Sequence, residues 1–468
     1  MKHHGMAPCI LPMRNLPSRN SSRRRFIQTA ATALGAPFIL PSGSYSKPLN
    51  SKLQVAMVGA DGMAYSDMKN IGSHDKTKFV GFCDIDSSRF AKADKDFPGV
   101  PHFADYMEMY EKLGDTVDAV GVGIPDHSHA RASIEAMKRG KHVYCQKPLA
   151  HTVWECRQMR LWAEKSGVIT QMGNQIHSAI EYRLGVRLLR EGVIGKVKEV
   201  HSWVGVDGRE RTNFDDRPPA NLESAPPANV NWDLWVGPAP MRPYVANAYH
   251  PFVWRDWQDF GTGALGDFGC HILDPIFTAL ELTAPLTIRA EHAGTNKEVW
   301  PGPERVFFKF PGTKFTEGQT IPVTWYDGKL QPPRELAQIP DTLKLPGGGS
   351  LIIGELGNMI LPHVAGPRMY PLEKFQTFVY PKDVKGLEHR HVWIDAIFAN
   401  TKTSDGFHYA GPLAETVQLG NVAARFPGET LEWDVEKMKI SRTGADSAAA
   451  QALLTRPYRA GFEVTPAA

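Results

Sequence analysis

Short apolar runs alternate with helical patterns through the first third of the chain. The strand candidates are 53–58, 78–83, 117–124, 141–145 and 168–172, and helical patterns cover 130–140 and 153–166. Strands that alternate with helices predict an α/β domain built on a doubly wound parallel sheet. We expect this domain to occupy residues 52–174.

The pattern changes after residue 175. Residues 197–204 alternate apolar and polar positions, as a half-buried strand does. Further strand candidates lie at 286–292, 304–310, 321–326 and 350–361, with helical patterns near 391–400 and 411–425. Residues 207–260 form a long segment rich in Pro and Trp, and a loop of this length is usually functional. The sequence therefore predicts a second, α+β domain over 175–465 with a large, mostly antiparallel open sheet.

The net charge of +3 comes from one end of the chain. Residues 1–46 hold six Lys and Arg and no acidic residue, so the remainder has 47 basic against 50 acidic residues. A protein near neutrality lacks the basic surface that nucleic-acid binding requires. We therefore expect no nucleic-acid partner.

The first 46 residues resemble an export signal. Arg23 and Arg24 precede Phe26 and a mildly apolar run over 29–40, and small residues follow. A basic start, a short apolar run and small residues are the parts of a signal peptide, and the twin arginine resembles the twin-arginine (Tat) signal. A disordered basic tail is the alternative. We expect export to the periplasm by the Tat machinery, without stable membrane insertion because the run is too short to span a bilayer.

The chain contains five cysteines, Cys9, Cys83, Cys145, Cys156 and Cys270. Cys9 falls in the expected signal, and the other four show neither CxxC pairing nor zinc-site spacing. Two disulfides are conceivable in an oxidising compartment, but the strand-end and helical settings favour buried free thiols.

A glycine-containing turn follows the first strand. Residues 59–64 read Gly-Ala-Asp-Gly-Met-Ala, whereas the dinucleotide-binding pattern is GxGxxG, so Asp61 replaces the second glycine. Such a turn places backbone N–H groups against a pyrophosphate, although a bare turn would explain the same residues about as often. Asp84 ends the next strand, where a carboxylate binds the ribose hydroxyls of NAD and disfavours the 2′-phosphate of NADP. We expect NAD as the cofactor; a turn or helix cap is the alternative role of Asp84.

Three further segments carry a family resemblance. Residues 125–130 read Pro-Asp-His-Ser-His-Ala, 146–148 read Gln-Lys-Pro, and 266–274 read Gly-Asp-Phe-Gly-Cys-His-Ile-Leu-Asp. In this order they resemble the glucose–fructose oxidoreductase / inositol dehydrogenase family (Gfo/Idh/MocA), over roughly residues 52–465. The resemblance implies an N-terminal Rossmann domain, a C-terminal open-sheet domain that binds sugar-like substrates, and a homo-oligomer.

The resemblance also implies the cofactor site. It assigns to NAD the residues Gly59, Gly62, Met63, Asp84, Ile124, Pro125, His129, Gln146 and Lys147. Lys147 matches the family's lysine that contacts the reacting hydroxyl and the nicotinamide ribose. Gln146 stands where the family usually has a glutamate; it can accept a hydrogen bond from a ribose hydroxyl but brings no charge.

Asp267 and His271 are further candidate catalytic residues. They stand four apart, so a helix would place them on one face. The carboxylate could orient an imidazole that acts as general acid or base near neutral pH; a helix start with a buried histidine is the alternative. Gln175 and Trp257 are candidate substrate contacts together with His271, and Tyr182 is an alternative proton-transfer group.

No metal is expected. His389 and His391 have the i,i+2 spacing of a metal-binding pair on a strand, but no carboxylate partner is evident.

Together these features predict an exported NAD-dependent oxidoreductase that acts on a hydroxyl or keto group of a sugar, cyclitol or glycoside. Lys147 and His271 would take the hydroxyl proton while a hydride passes to the nicotinamide. One alternative is a family member that retains NAD and cleaves a glycosidic bond. The other is a non-catalytic sugar-binding relative, which Asp61 and Gln146 favour.

Overall fold

The structure is a computed structural model that describes residues 52–206, 211–442 and 446–467. These residues belong to one compact unit of the chain. The expected signal over 1–46, with Arg23 and Arg24, lies outside the described residues. Within the described ranges, no helix combines the length and the apolar character that crossing a bilayer requires.

The first sheet contains six parallel strands. They are β1 (Leu53–Val58), β2 (Thr77–Cys83), β3 (His102–Phe103), β4 (Ala119–Val122), β5 (His142–Gln146) and β6 (Thr170–Gly173). Their order is β3-β2-β1-β4-β5-β6, and all neighbouring pairs are parallel. This confirms the predicted Rossmann arrangement. The strand order reverses between β1 and β4, so a crevice opens at the carboxyl ends of these two strands.

Five α-helices accompany these strands within residues 52–174. They are α1 (Met63–Gly72), α2 (Ala91–Asp96), α3 (Tyr106–Leu113), α4 (His129–Lys138) and α5 (Val153–Ser166). Local chemistry sets the bounds of α5, because Thr152 and Glu155 form a reciprocal capping box at its start and Gly167 ends it with a φ of 67°. Helix α3 falls outside the predicted elements because it buries only Met109 and Tyr110, which is too narrow a stripe to read.

A nine-stranded sheet dominates the rest of the described chain. Its strands are β7 (Val197–Val204), β8 (Thr287–His292), β9 (Glu304–Pro311), β10 (Thr320–Tyr326), β11 (Gly348–Gly354), β12 (Asn358–Pro362), β13 (Arg368–Tyr370), β14 (Thr430–Asp434) and β15 (Lys439–Arg442). The order is β13-β12-β11-β7-β10-β9-β8-β14-β15. Only the pair β7 and β10 is parallel among these described strands. The predicted large, mostly antiparallel sheet is therefore confirmed.

The predicted strand over 350–361 is wrong in one respect. The structure has two antiparallel strands there, β11 and β12, joined by residues 355–357. A Cβ at Gly354 would lie 2.2 Å from the carbonyl oxygen of Ile194, so the chain can pass this point only with a glycine. The last residue of β11 therefore makes a close tertiary contact that the apolar pattern does not record.

The helices of this second region are α6 (Ile180–Arg190), α7 (Trp232–Val236), α8 (Gly263–Ile272), α9 (Asp274–Leu280), α10 (Leu372–Phe375), α11 (His389–Ala399), α12 (Phe407–Ala423) and α13 (Ala448–Ala452). His389 and His391 lie in the first turn of α11. They do not form a pair on a strand, so that interpretation of their spacing is wrong.

Aromatic packing, rather than regular structure, organises the Pro- and Trp-rich segment that follows residue 210. Its buried aromatic residues are Trp232, Trp235, Tyr249, Trp254, Trp257 and Phe260. Trp232 and Trp235 stack with ring centroids 4.6 Å apart. Large aromatic side chains bury much apolar surface without any repeating pattern, which explains why this segment has a core but no periodicity.

The four described cysteines, Cys83, Cys145, Cys156 and Cys270, are buried free thiols. This confirms the prediction that they do not pair.

Candidate active site

The turn between β1 and α1 lies at the crevice. Gly59 has a φ of +100°, and a Cβ there would lie 2.6 Å from the carbonyl oxygen of Gly123, so a side chain is excluded. Ala64 stands at the third glycine position of the pattern, where an alanine is also accepted. Gly62 has a φ of +59°, and a Cβ there would meet nothing, so this side of the turn is open. Helix α1 starts at Met63 without a side-chain cap, which leaves its first N–H groups available to a ligand.

Asp61 in this turn is held by two cationic side chains. Its carboxylate accepts hydrogen bonds from Arg89 Nη1 at 3.0 Å and from Lys92 Nζ at 2.7 Å. Burial opposes its ionisation, but Lys92, the Gly62 N–H and Arg89 outweigh burial and lower the pKa of Asp61. The two cations offset the negative charge that would otherwise repel a pyrophosphate. Asp61 is therefore compatible with a dinucleotide site.

Asp84 connects the ends of β1 and β2. Its Oδ2 accepts a hydrogen bond from the Ala60 N–H at 2.9 Å, and its Oδ1 accepts one from the Asp86 N–H at 3.0 Å. Burial outweighs these bonds and raises the pKa of Asp84 to about 6. Arg89 is the nearby guanidinium that could attract a 2′-phosphate, but Asp61 and Asp86 both accept hydrogen bonds from it. This arrangement favours the unphosphorylated ribose of NAD.

His129 lies behind the wall of the crevice. Its ring nitrogens lie 2.7 Å from the carbonyl oxygen of Ile124 and 2.8 Å from that of Pro148, and it is 1% exposed. Burial opposes its protonation, but Cys145 and the two carbonyl groups outweigh burial and raise the pKa of His129. The imidazole ties the loop after β4 to the loop after β5. The resemblance implied that His129 contacts the cofactor. The structure instead makes it a positioning residue, and it is not among the described residues that line the cavity.

Gln146 ends β5 and connects the crevice to a buried ion pair. Its Nε2 donates to Asp67 Oδ2 at 2.6 Å, and Arg390 donates to Asp67 Oδ1 from Nε at 2.9 Å and from Nη2 at 2.8 Å. All three side chains are buried. A glutamate at position 146 would bring a second carboxylate against Asp67, which is unfavourable in a buried setting. The departure from the family's usual residue is therefore explained by a partner within this chain.

Lys147 and Asp267 form an ion pair on the crevice wall. Lys147 Nζ donates to the Asp267 carboxylate and, at 2.8 Å, to its backbone carbonyl oxygen. Arg211 Nη2 donates to the other carboxylate oxygen at 2.5 Å, and Arg255 Nε lies 3.8 Å from it. Burial opposes ionisation of Asp267, but Lys147, Arg211 and Arg255 outweigh it and hold the pKa of Asp267 well below its usual range. Asp267 is thus an anion that fixes Lys147.

His271 is oriented by Asn174. Its Nδ1 lies 2.5 Å from Asn174 Oδ1, and Asn174 Nδ2 donates to the Cys270 carbonyl oxygen at 2.9 Å. That second bond fixes the amide so that its oxygen faces the imidazole, which places the proton of His271 on Nδ1. Burial, Lys147 and His363 lower the pKa of His271 well below its ordinary value. The ring is neutral, and its Nε2 is the proton-accepting atom.

The predicted role of Asp267 as the group that orients His271 is wrong. Both residues lie on α8 as predicted, but Lys147 and Arg211 occupy the carboxylate of Asp267. Asn174 was not predicted as a site residue, although it directly follows β6 at the carboxyl edge of the sheet.

Asp126 is a crevice residue to which the sequence analysis gives no role. Its Oδ2 accepts a hydrogen bond from Thr262 Oγ1 at 2.7 Å, and the residue is 3% exposed. Burial raises the pKa of Asp126 to about 7; the Thr262 bond opposes this shift and the charge of Asp267 adds to it. Asp126 therefore titrates near neutral pH. Its place in the 125–130 motif was the signal that could have identified it.

The three predicted substrate contacts, Gln175, Trp257 and His271, are not among the described residues that line the cavity in this crevice. Trp257 is fully buried and donates from Nε1 to the Ala248 carbonyl oxygen at 2.6 Å, so the prediction that it lines the pocket is wrong. Trp235 and Trp254 border the cavity instead. Gln175 lies in a 3₁₀ turn after β6 and is not among the described residues that line the cavity.

Tyr182, the alternative proton-transfer group, is also buried away from the cavity lining. Its hydroxyl lies 3.1 Å from Nδ1 of His363, and the His363 ring lies 5.9 Å from that of His271. Its hydroxyl therefore faces His363.

The crevice contains a cavity of about 230 Å³. Of the predicted residues, it is lined by Gly59, Gly62, Met63, Asp84, Ile124, Pro125, Gln146, Lys147 and Asp267. The Pro- and Trp-rich segment contributes Trp254 and Arg255 to the same cavity. The glycine turn, the uncapped start of α1 and the Asp84 carboxylate fit the pyrophosphate and ribose of NAD. The ion pair of Lys147 lies on the same cavity wall.

Two family profiles match the chain. Residues 53–174 match the oxidoreductase family with an NAD-binding Rossmann fold, GFO_IDH_MocA. Residues 213–311 match the C-terminal alpha/beta domain of the oxidoreductase family, GFO_IDH_MocA_C2.

Individual relatives are more distant. Glucose-6-phosphate 3-dehydrogenase of Bacillus subtilis is 27% identical over 230 residues, which are 49% of this chain and 54% of that protein. Glycosyl hydrolase family 109 protein 2 of Akkermansia muciniphila is 24% identical over 164 residues, 33% of this chain and 34% of that protein. Across eight curated relatives, the chain spans between 23% and 54% of their length.

Solved structures show the same fold. The WlbA dehydrogenase from Bordetella pertussis, in complex with NADH and UDP-GlcNAcA, superposes with a TM-score of 0.56 at 16% identity. The superposition covers 82% of this chain and 99% of that one. The superposition thus shows the fold, while the two profile matches identify residues 53–174 as an NAD-binding Rossmann domain of the oxidoreductase family and residues 213–311 as part of that family's C-terminal domain.

Proposed function

We propose that this protein is an NAD-dependent oxidoreductase that acts on a hydroxyl or keto group of a sugar-like substrate. The observation that carries the proposal is the ion pair of Lys147 and Asp267 on the wall of the cavity that also contains the glycine turn. A lysine fixed at this place can meet both a dinucleotide and a substrate oxygen. The sugar-phosphate dehydrogenase among the relatives supports a carbohydrate.

Lys147 and His271 are the two side chains that we assign to the reacting hydroxyl. Lys147 donates a hydrogen bond to the substrate oxygen and stabilises the negative charge that develops on it. His271 is neutral, with its own proton on Nδ1 and bound by Asn174, so its Nε2 can accept the hydroxyl proton. In the reverse direction His271 returns this one proton from Nε2 to the oxygen, while Lys147 keeps its hydrogen bond to the oxygen. NAD, when bound, supplies the hydride acceptor or donor.

The cavity wall suits a polyhydroxylated ring. Trp254 contributes an aromatic face, and the Arg255 guanidinium lies 4.3 Å from the centroid of its ring. Asp126 adds a carboxyl group that accepts or donates hydrogen bonds according to pH. An apolar face with a few charged groups at its edge is typical of small-molecule sites.

One experiment separates the candidate functions. The purified protein is denatured and the released nucleotide is identified by mass spectrometry; a panel of sugars, cyclitols and glycosides is then incubated with the native protein. We expect NAD(H) rather than NADP(H), and substrate-dependent accumulation of NADH at 340 nm. Lys147→Met serves as the inactive control.

The other outcomes are equally specific. Product formation from a glycoside without net NADH release would favour an NAD-retaining glycoside-cleaving enzyme, a possibility raised by the glycosyl hydrolase family 109 relative. Sugar binding without any chemical change would favour a binding protein. Either result would overturn the dehydrogenase assignment.

We also propose that the protein is exported by the twin-arginine route, on the strength of the basic and apolar pattern of residues 1–46. That route carries folded cargo, so NAD would be bound before transport. We expect Arg23→Lys/Arg24→Lys to keep the protein in the cytoplasm, measured by fractionation of expressing cells. Equal periplasmic recovery of this variant and the wild type would contradict the proposal.

A further inference from the structure

A buried carboxylate without a hydrogen-bond partner lies outside the crevice. Asp405, in the segment between α11 and α12, is 1% exposed, and neither of its carboxylate oxygens has a hydrogen-bond partner in the described chain. His389 Nε2 is 3.8 Å from Oδ2, but this nitrogen bonds the Met172 carbonyl oxygen at 2.8 Å. An unsatisfied buried carboxylate is costly, so this position calls for a positive partner.

His177 and Asp274 share the space around Asp405. One ligand atom from each of the three residues lies within 4.8 Å of the others. His177 Nδ1 is 2.9 Å from Asp274 Oδ1 and 3.1 Å from Oδ2. An imidazole nitrogen and two carboxylates form a donor set that takes divalent cations such as Zn²⁺.

The surroundings orient these groups as an outer shell does in metal sites. The Tyr409 hydroxyl donates to Asp274 Oδ1 at 2.7 Å, which fixes that carboxylate. Ser404 Oγ lies 3.0 Å from His177 Nε2 and can accept its proton, which leaves Nδ1 as the ligand atom. Hydrogen bonds of this kind set the tautomer and the ring orientation of metal-bound histidine.

We propose that His177, Asp274 and Asp405 bind one divalent cation of the Zn²⁺ type. The cation neutralises two carboxylates that otherwise face each other in a buried space. This inference stands on the cluster alone and does not depend on the proposed activity.

The position of the cluster indicates that such a cation would have a structural role. His177 lies three residues after Asn174, and Asp274 lies three residues after His271. Asp405 is anchored to the end of β6, since its backbone carbonyl oxygen accepts a hydrogen bond from the Met172 N–H at 2.9 Å. A cation here would clamp together the two segments that carry Asn174 and His271.

Protons are the competing way to neutralise the cluster. Burial lowers the pKa of His177, but Asp274 and Asp405 outweigh it and raise that pKa to about 9. A histidinium shared between the carboxylates is therefore the alternative occupant, and the experiment must separate it from a metal.

The test is calorimetric titration of the EDTA-treated full-length protein with ZnCl₂, together with thermal unfolding at each zinc concentration. Outer-shell changes typically cost 10- to 100-fold in metal affinity, so Asp405→Asn, which removes a ligand, should weaken binding at least about 100-fold. The control is Asp341→Asn, an exposed carboxylate outside the cluster. We expect one tight site and a higher Tm with zinc in the wild type and the control, and neither in Asp405→Asn.

His177→Gln, which keeps the charge of the carboxylates, provides a second variant should Asp405→Asn fail to fold by circular dichroism, and it should lose the same site. A wild type that takes up no zinc would show that protons neutralise the cluster and would overturn the proposal. Equal uptake by wild type and the cluster variants would place the ion elsewhere and overturn it as well.

Discussion

Lys147→Met is expected to lose about 10²- to 10³-fold in turnover, the usual cost of removing one donor that stabilises the charge developing on the substrate oxygen. Methionine keeps the length and apolar stem of the side chain but cannot donate to a substrate oxygen or pair with Asp267. Arg211 and Arg255 still face the Asp267 carboxylate, so the variant should fold. Steady-state rates of NADH formation with the substrate found in the sugar panel provide the measurement.

A matched control lies on the same strand. Lys141 immediately precedes β5, at the opposite end of the strand from the crevice, and its Nζ lies 3.9 Å from Asp115. Lys141→Met should retain turnover close to that of the wild type. Lys141→Met should bind NAD as the wild type does, and Lys147→Met should still bind NAD with one contact fewer, both measured by fluorescence titration. Wild-type turnover in Lys147→Met would show that the reacting oxygen meets another group.

The alternation of strands and helices made the first domain predictable. The central strands β1 and β4 are buried almost throughout, so they read as short, mostly apolar runs. Helix α5 carries its own capping box. Such signals lie within a few residues of each other, so the sequence alone is enough to place these strands and this helix.

The site was predictable where a residue follows a strand directly. Lys147, Asp84 and Gly59 come straight after β5, β2 and β1, and the carboxyl ends of neighbouring parallel strands meet at one edge. The order of the motifs along the chain therefore predicted correctly that these residues lie together.

Contacts across domains were not predictable in the same way. The pairing of His271 with Asn174 joins residues 97 positions apart. The spacing of Asp267 and His271 also does not show that the Asp267 carboxylate accepts a hydrogen bond from Lys147. Trp254 and Trp257 are three residues apart in an aperiodic segment, so the choice of the one at the cavity depends on packing that no sequence pattern encodes.

Gln146 donates a hydrogen bond to Asp67, and removal of this buried carboxylate should have a large effect on stability. Asp67→Ala should lower the free energy of unfolding by about 3–5 kcal/mol, the usual cost of removing one partner from a buried ion pair. The change leaves the buried Arg390 guanidinium with only the longer contact to Glu388 Oε1, at 3.5 Å, and takes away the acceptor of Gln146 Nε2. Urea unfolding followed by tryptophan fluorescence measures the loss. Asp75→Ala, at an exposed carboxylate beyond the end of α1, is the control and should change stability by less than about 0.5 kcal/mol.

A double variant tests whether the charge left behind is the cause. In Asp67→Ala/Arg390→Met neither charge is buried alone, and replacing a buried pair by apolar side chains is often nearly neutral. We therefore expect the double variant to be more stable than Asp67→Ala, with a coupling free energy of about 1–3 kcal/mol between the two sites. A double variant whose loss equals the sum of the two single losses would show that Asp67 and Arg390 act independently. In that case the charge left on Arg390 would not be the cause of the stability lost in Asp67→Ala.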